Sequence, residues 1–136
     1  MLQIEIMTQH FKTSSFTVFP NDLNFGNSLF GGKVLAEIDC EMAKVARSII
    51  HKTGADNVVT ANINVDFIAP AHQGDLIVLE ADVVKLGTTS MTLKTDVYIW
   101  DGDEEEDIKN RLKICSATAV FVALKGKKPF PHGKKM

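Results

Sequence analysis

Asp39 lies where a carboxylate is hard to explain as an ordinary surface residue. Apolar side chains recur at helical spacing after Lys33, and a projection at about 100° per residue gathers them on one arc. The projected position of Asp39, about 140° from Val34, falls inside that arc. A carboxylate there must be desolvated, paired or used in chemistry. The arc is formed by Val34, Leu35, Ile38, Met42, Val45, Ala46, Ile49 and Ile50.

Helical periodicity alone leaves two candidates for a functional carboxylate, and it does not decide whether Asp39 is functional or merely solvated. An Asp near the edge of an apolar arc commonly reaches solvent or bonds a neighbouring backbone group, and this is the simpler interpretation of Asp39 when the arc is considered alone. Glu41 lies at the opposite edge and is the rival carboxylate. We expect its longer side chain to reach solvent more easily.

The residues before the helix form a loop whose backbone a ligand can approach closely. Asn24, Gly26 and Asn27 tolerate positive φ, and Gly31-Gly32 stands where the helix begins. A helix start presents unpaired N–H groups and the positive end of the helix dipole, and glycine allows a ligand to approach them. A Walker loop is not formed, since Asn27 and Val34 replace residues which that motif requires.

The order Asn24, Leu29-Phe30-Gly31-Gly32 and then Asp39 resembles the hotdog-fold acyl-CoA thioester hydrolases. The resemblance continues through Phe67-Ile68-Ala69-Pro70, Gly74-Asp75 and the 87–91 segment Gly-Thr-Thr-Ser-Met, so it covers most of residues 16–123. It makes Asp39 the catalytic carboxylate rather than a solvated one.

The resemblance implies roles for particular residues. Asp39 would be the general base or the nucleophile, Asn24 would orient water or the thioester, and a backbone N–H of Gly31 or Gly32 would hold the oxyanion. In related enzymes the Asp of one subunit faces the Asn and Gly loop of another. A homodimer at least is therefore expected, with a tetramer or hexamer above it.

Substrate contacts follow from the same resemblance. Phe30 would line the acyl or pantetheine path, although it could equally anchor the loop. The turn formed by Gly87, Thr88, Thr89 and Ser90 would contact the nucleotide end of CoA, but Thr88 stands where relatives often carry Arg. Lysines in residues 125–136 could supply that charge, although a solvated tail is the simpler interpretation.

Thr60 falls where relatives often place a Ser or Thr beside the catalytic carboxylate. Strict alternation of residues 59–67 puts Val59, Ala61 and Ile63 on the helix side and Thr60 on the polar face. We therefore give Thr60 low weight unless a β-bulge intervenes.

The patterns predict strands at residues 14–19, 59–67, 76–86, 91–100 and 111–124, with the helix ending near residues 51–53, where Gly54 can close it. Five strands and one apolar helix give an α+β fold in which the sheet wraps the helix. The hotdog topology, a five-stranded antiparallel sheet around one long central helix, comes from the resemblance. Residues 1–124 form one domain, residues 101–107 an acidic hairpin loop, and residues 125–136 a basic, mobile tail.

Composition narrows the function classes. The net charge is −2 in 136 residues, which gives no field for nucleic acid, and no apolar run is long enough to span a membrane. No secretory signal is recognised, and the two cysteines and four histidines lack zinc-ligand spacing. A cytoplasmic protein is expected. Neither a metal nor another cofactor is expected, since CoA is part of the substrate.

The sequence thus predicts an acyl-CoA thioesterase that releases a free acid and CoA. The alternative is a non-catalytic acyl-CoA binding or sensing module on the same fold. A hotdog dehydratase would need a catalytic His at the helix, where only the outward-facing His51 is present. Acyl chain length is not readable from these patterns.

Overall fold

The computed structural model describes residues 12–100 and 111–136, and the predicted acidic loop at residues 101–107 lies outside these ranges. A 3₁₀ turn, Pro20–Asp22, and one long helix separate the first strand from the rest. The elements are β1 (Lys12–Thr17), α1 (Gly31–Ile50), β2 (Asn57–Phe67), β3 (Leu76–Leu86), β4 (Ser90–Trp100), β5 (Lys113–Lys125) and β6 (Lys128–Pro129).

The sheet is antiparallel with the order β1-β3-β4-β5-β2, and α1 packs across one face of it. The predicted α+β fold is confirmed, with six strands rather than five because the short β6 pairs with β5. The inward face of α1 is buried, and each of its Val, Ile and Met side chains contributes about 1.5–3 kcal/mol. The buried apolar helix residues are Val34, Ile38, Met42, Val45, Ala46, Ile49 and Ile50.

Two predicted boundaries shift by a few residues. β1 ends at Thr17 rather than at residue 19, because the Phe19 N–H donates to the Asp22 carboxylate at 2.9 Å and the chain turns out of the ladder. The helix ends at Ile50, before the predicted 51–53. Lys52 adopts φ 63° and Gly54 adopts φ 99°, so the predicted left-handed glycine is present but is not the first residue to turn.

A β-bulge interrupts β2. Thr60 pairs with Phe121 and Asn62 pairs with Val120, so Ala61 has no opposite residue in β5. An unopposed residue reverses the alternation of side chains along a strand. The prediction that Val59 and Ala61 face the helix is therefore wrong, since Val58 is half-buried against the core and Val59 is exposed.

The structure places residues 125–136 against the sheet rather than apart from it. β6 continues from β5 through a turn at Gly126, and the Phe130 N–H donates to the Ala123 carbonyl at 2.9 Å. His132 is buried beside residues 87–90. A pattern rich in Lys, Gly and Pro suggested a mobile tail, but it could not show these contacts, which are made with distant parts of the sequence.

Candidate active site

Asp39 and Thr60 meet at the wall of a cavity between α1 and β2. The Thr60 hydroxyl donates a hydrogen bond of 2.8 Å to Oδ1 of Asp39. Within the described ranges no donor contacts Oδ2 and no cation pairs with Asp39, so one carboxylate oxygen is open to the cavity. The cavity has a volume of about 250 Å³ and is lined by Gly32, Leu35, Ala36, Asp39, Thr60 and Ile63.

The strict alternation that predicted Thr60 on the polar face is wrong. The β-bulge at Ala61, the stated exception, is present and places Thr60 on the helix side of β2. Leu35 also departs from expectation, since it lies on the predicted apolar arc yet is 37% exposed and lines the cavity. The apolar arc is therefore wider than the face that the single chain buries.

The helix start supplies unpaired backbone donors. The carbonyl of Phe30 accepts the N–H groups of Lys33 and Val34, whereas the described part of the chain offers no backbone acceptor to the N–H of Gly31 or Gly32. A Cβ on Gly32 would collide with the Phe30 ring. A side chain at this position would therefore have to displace the half-exposed Phe30 ring, and Gly32 is among the residues lining the cavity that holds Asp39.

Asn24 organises its own loop. Its side-chain oxygen accepts the N–H groups of Gly26, at 2.9 Å, and Ser28, at 3.1 Å, while Asn27 adopts φ 61°. Its Nδ2 contacts only the Ser28 hydroxyl among the described residues, at 3.2 Å. Asn24 therefore stabilises the conformation of its own loop, and its Nδ2 keeps donor capacity toward a ligand.

Asn24 and Asp39 line different cavities of the chain. Asn24 lines a cavity of about 380 Å³ together with Phe25 and Phe30, and neither Asp39 nor Thr60 is among the residues lining it. Phe30 is 54% exposed and Phe25 is fully exposed. A single chain therefore presents the predicted site residues as two separate halves, one around Asn24 and one around Asp39.

Glu41 is not a rival for Asp39, and the expectation that it reaches solvent is wrong. It is 3% exposed and pairs with Lys44 Nζ at 3.5 Å. It is absent from the residues lining the cavity that holds Asp39. Its neighbours in the helical projection, Val34 and Val45, are buried with it, so the core extends past the edge of the apolar arc.

The remaining predicted substrate residues lie at and before the start of β4, two strands across the sheet from Thr60, because Met91 pairs with Phe121 and Phe121 pairs with Thr60. Gly87, Thr88 and Thr89 form the predicted hairpin turn between β3 and β4, and Ser90 begins β4. The pairing of Leu86 with Met91 confirms that these strands are antiparallel neighbours. Gly87 and Thr88 line a third cavity together with residues of the C-terminal segment. None of them contacts Asp39.

The described residues form neither a metal site nor a membrane-spanning helix. Residues 12–100 and 111–136 hold no group of three or more His, Cys, Asp or Glu side chains placed to bind one metal ion. Within the same ranges, no helix has the length and apolar character that crossing a membrane requires.

Sequence comparison places the site in a family. Residues 26–106 match the thioesterase superfamily. The acyl-CoA thioester hydrolase YciA of Salmonella typhimurium is 32% identical over 106 residues, which are 77% of this chain and 76% of that protein.

Solved structures agree with this comparison. An acyl-CoA hydrolase from Staphylococcus aureus, solved with butyryl-CoA, CoA and CoA disulfide, has a TM-score of 0.77 and 31% identity over 92% of this chain and 70% of that chain. Variants of that hydrolase with alanine replacing an aspartate, an asparagine or a threonine also match. A hexameric acyl-CoA thioesterase has a TM-score of 0.78 and 33% identity over 92% of this chain and 76% of that chain.

The superfamily match covers more than half of the sequence, and the relatives align over three quarters of it or more. The glycine pair at the helix start and the helical Asp lie within the matched region. This chain therefore belongs to the thioesterase superfamily, among the acyl-CoA thioester hydrolases of the hotdog fold.

Proposed function

We propose that this chain hydrolyses acyl-CoA thioesters to a free acid and CoA, with Asp39 as the catalytic carboxylate. The observation that carries the proposal is the 2.8 Å hydrogen bond from Thr60 to Oδ1 of Asp39 beside the open N–H of Gly32. Thr60 fixes the carboxylate and leaves Oδ2 to accept a proton from water or to attack the thioester carbon. Either route lets one carboxylate cleave a thioester.

The developing oxyanion is held by backbone donors at the helix start. The N–H groups of Gly31 and Gly32 have no backbone acceptor in the described ranges and lie at the positive end of the α1 dipole. Such donors stabilise charge that appears on the carbonyl oxygen as the C–S bond breaks. The proposal uses these groups, Asn24 Nδ2 and water, and so calls for no metal or other cofactor.

The site is completed by a second copy of the chain. β2 is an edge strand of the described sheet, and Val59, Phe67 and Ile68 are 42%, 60% and 56% exposed. Pairing two copies would cover this edge and bring the Asn24 half of one chain to the Asp39 half of the other. The hexamer formed by a relative supports assembly of this kind.

The residues that were replaced by alanine in a related hydrolase support these assignments. The asparagine and aspartate replaced in the Staphylococcus aureus hydrolase have the same separation in sequence as Asn24 and Asp39. Phe30 would then line the path of the acyl chain or pantetheine.

We also propose a cytoplasmic location, supported by the two free thiols of Cys40 and Cys115, which suit a reducing compartment.

The test is release of CoA thiol from a panel of acyl-CoAs. Asp39→Asn keeps the shape of the side chain, and we expect it to lower kcat by roughly a hundredfold or more. Glu37→Gln is the matched control, because Glu37 is on the same helix and its one ion pair among the described residues is with Lys33 at the surface, at 3.1 Å. A native chain that binds acyl-CoA without releasing thiol would instead be the non-catalytic binding module.

A further inference from the structure

The ring of Phe67 touches the start of α1. Its Cζ, Cε1 and Cε2 atoms lie 3.3, 3.4 and 3.9 Å from the position that a Cβ on Gly31 would occupy. Because Cζ is the nearest of the three, the ring meets Gly31 with its outer end. Gly31 carries one of the two open N–H groups that hold the oxyanion in the proposed function.

The chain that follows β2 is fixed on both sides. The N–H groups of Ile68 and Ala69 both donate to the Ile114 carbonyl, at 2.8 and 3.2 Å, and tie this stretch to the beginning of β5. Further along, the carbonyl of the buried Ala71 accepts the Leu29 N–H at 2.8 Å, immediately before the helix. The backbone beside the ring is therefore held close to the helix start.

The Phe67 ring adds little to the hydrophobic core. Phe67 is 60% exposed, so most of its surface lies outside the packed interior. Its truncation should therefore change the stability of the fold only slightly. A ring that contributes little to the core but presses on a backbone donor is suited to position that donor.

One strand contacts both parts of the catalytic machinery on α1. Thr60 of β2 donates to the Asp39 carboxylate at 2.8 Å, and Phe67, the last residue of β2, contacts Gly31. The carboxylate and the donor are thus held by the same element. Such contacts matter because a misplacement of about 1 Å at a reacting group can cost roughly a hundredfold in rate.

We propose that Phe67 is a positioning residue of the thioester site, whose ring holds the Gly31 N–H in the direction that meets the oxyanion. The inference rests on the proposed function and adds a residue to that site. Phe67 acts through Gly31 and touches no reacting atom. With a small side chain at this position, the first turn of α1 can move into the vacated space, and the donor loses its alignment while the chain stays folded.

Release of CoA thiol by Phe67→Ala tests this role. We expect kcat to fall by roughly tenfold at nearly unchanged KM, because an oxyanion donor acts in the transition state and its complete loss costs about 10²–10³. Phe67→Met keeps a long, adaptable apolar side chain and should recover most of the activity. Phe19→Ala is the matched control, because Phe19 is 63% exposed and lines neither the Asp39 cavity nor the Asn24 cavity. Its kinetics should be those of the native chain.

A double-variant cycle tests whether Phe67 acts through Gly31. A Cβ at Gly31 would meet the ring at 3.3 Å, so Gly31→Ala pushes the ring and its own backbone apart and should lower kcat. Phe67→Ala removes this obstruction. Gly31→Ala should therefore cost less in the Phe67→Ala background than in the native chain. Losses that multiply would show that the two residues act independently and would overturn the inference.

Assembly is measured on the same variants, because Phe67 also lies on the exposed edge that a second copy would cover. Phe67→Ala should sediment as the native chain does. A variant that loses activity together with assembly would assign Phe67 to the contact between copies and overturn the positioning role. A rise in KM alone would overturn it as well.

Failure of this role and failure of the hydrolase activity are distinguishable. NMR of the native chain and of Phe67→Ala follows the Gly31 amide without turnover, because an aromatic ring shifts the resonances of protons beside it. A native chain that releases no thiol, although its Gly31 resonance moves in Phe67→Ala, would refute the hydrolase proposal and leave the ring contact standing. A native chain that releases thiol, with kcat unchanged in Phe67→Ala, would refute the positioning role alone.

Discussion

The Thr60 hydroxyl donates to Oδ1 of Asp39 at 2.8 Å, across the gap between β2 and α1. The two residues come from elements that are separated by a turn and are brought together by the bulge at Ala61. This contact holds the Asp39 side chain in one rotamer. It occupies Oδ1 with a hydrogen bond and leaves Oδ2 available for chemistry. Substitutions at Thr60 can therefore test the site without removing the carboxylate itself.

Thr60→Val should lower kcat by about tenfold with little change in KM, since a net hydrogen bond to a charged group contributes about 1.5–3 kcal/mol and Asp39 is only partly buried. Thr60→Ser keeps the hydroxyl and should retain most of the activity. Steady-state release of CoA thiol by the two variants measures the difference. Equal activity of Thr60→Val and the native chain would remove Thr60 from the site.

Mixing two inactive variants tests whether the site spans two chains. In a mixed dimer of Asp39→Asn and Asn24→Ala, one site receives both altered residues and the other receives neither. Random reassembly after mild denaturation should therefore restore roughly a quarter of the native activity. If Asn24 and Asp39 of one chain act together, every site in the mixture keeps one defect and no activity returns.

Cys115 gives the fold a pH dependence in the alkaline range. Burial, and secondarily the Asp66 carboxylate, raise the pKa of this thiol from 9.0 to about 11. The native state therefore keeps a proton that the unfolded chain loses above pH 9, so the free energy of unfolding should fall as the pH rises from 9 through 11, by about 3 kcal/mol in total. Chemical denaturation of native and Cys115→Ala chains at several pH values should show a smaller fall in Cys115→Ala, where the raised pKa of Tyr98, caused first by burial, still acts.

The matched control for that measurement is Cys40→Ala, because Cys40 is exposed. Its stability profile should run parallel to that of the native chain. A thiol reagent should label Cys40 in the folded protein and reach the buried Cys115 only on unfolding. A profile of Cys115→Ala that falls as steeply as the native one would contradict the assignment to this thiol.

Thr95→Val should stabilise the protein. The Thr95 hydroxyl is fully buried and has no hydrogen-bond partner among the described residues. Removing a buried, unsatisfied hydroxyl at nearly constant shape should raise the free energy of unfolding by about 1 kcal/mol. Thr118→Val, an exposed change on the neighbouring strand β5, should stay within about 0.5 kcal/mol of the native value. A loss of stability in Thr95→Val would show that the hydroxyl is satisfied.

The sequence by itself determined the parts of this protein that local patterns encode. Helical spacing located α1 and marked Asp39 as an unusual carboxylate, and period-two spacing located β3 and β4 to within a residue. The glycine pair identified the helix start, where the Phe30 ring lies against Gly32. These features depend on neighbours a few residues apart, so the chain's own order reveals them.

Only the tertiary structure decided which residues meet. A bulge is a mismatch between two strands, and the unopposed Ala61 can be recognised only when β2 and β5 are paired, so strict alternation placed Thr60 on the wrong face. The burial of Glu41 depends on what packs over the helix edge, and the position of the C-terminal segment depends on the contacts of His132 with a distant turn. Each of these outcomes is set by contacts between residues far apart in sequence, which a periodic pattern does not contain.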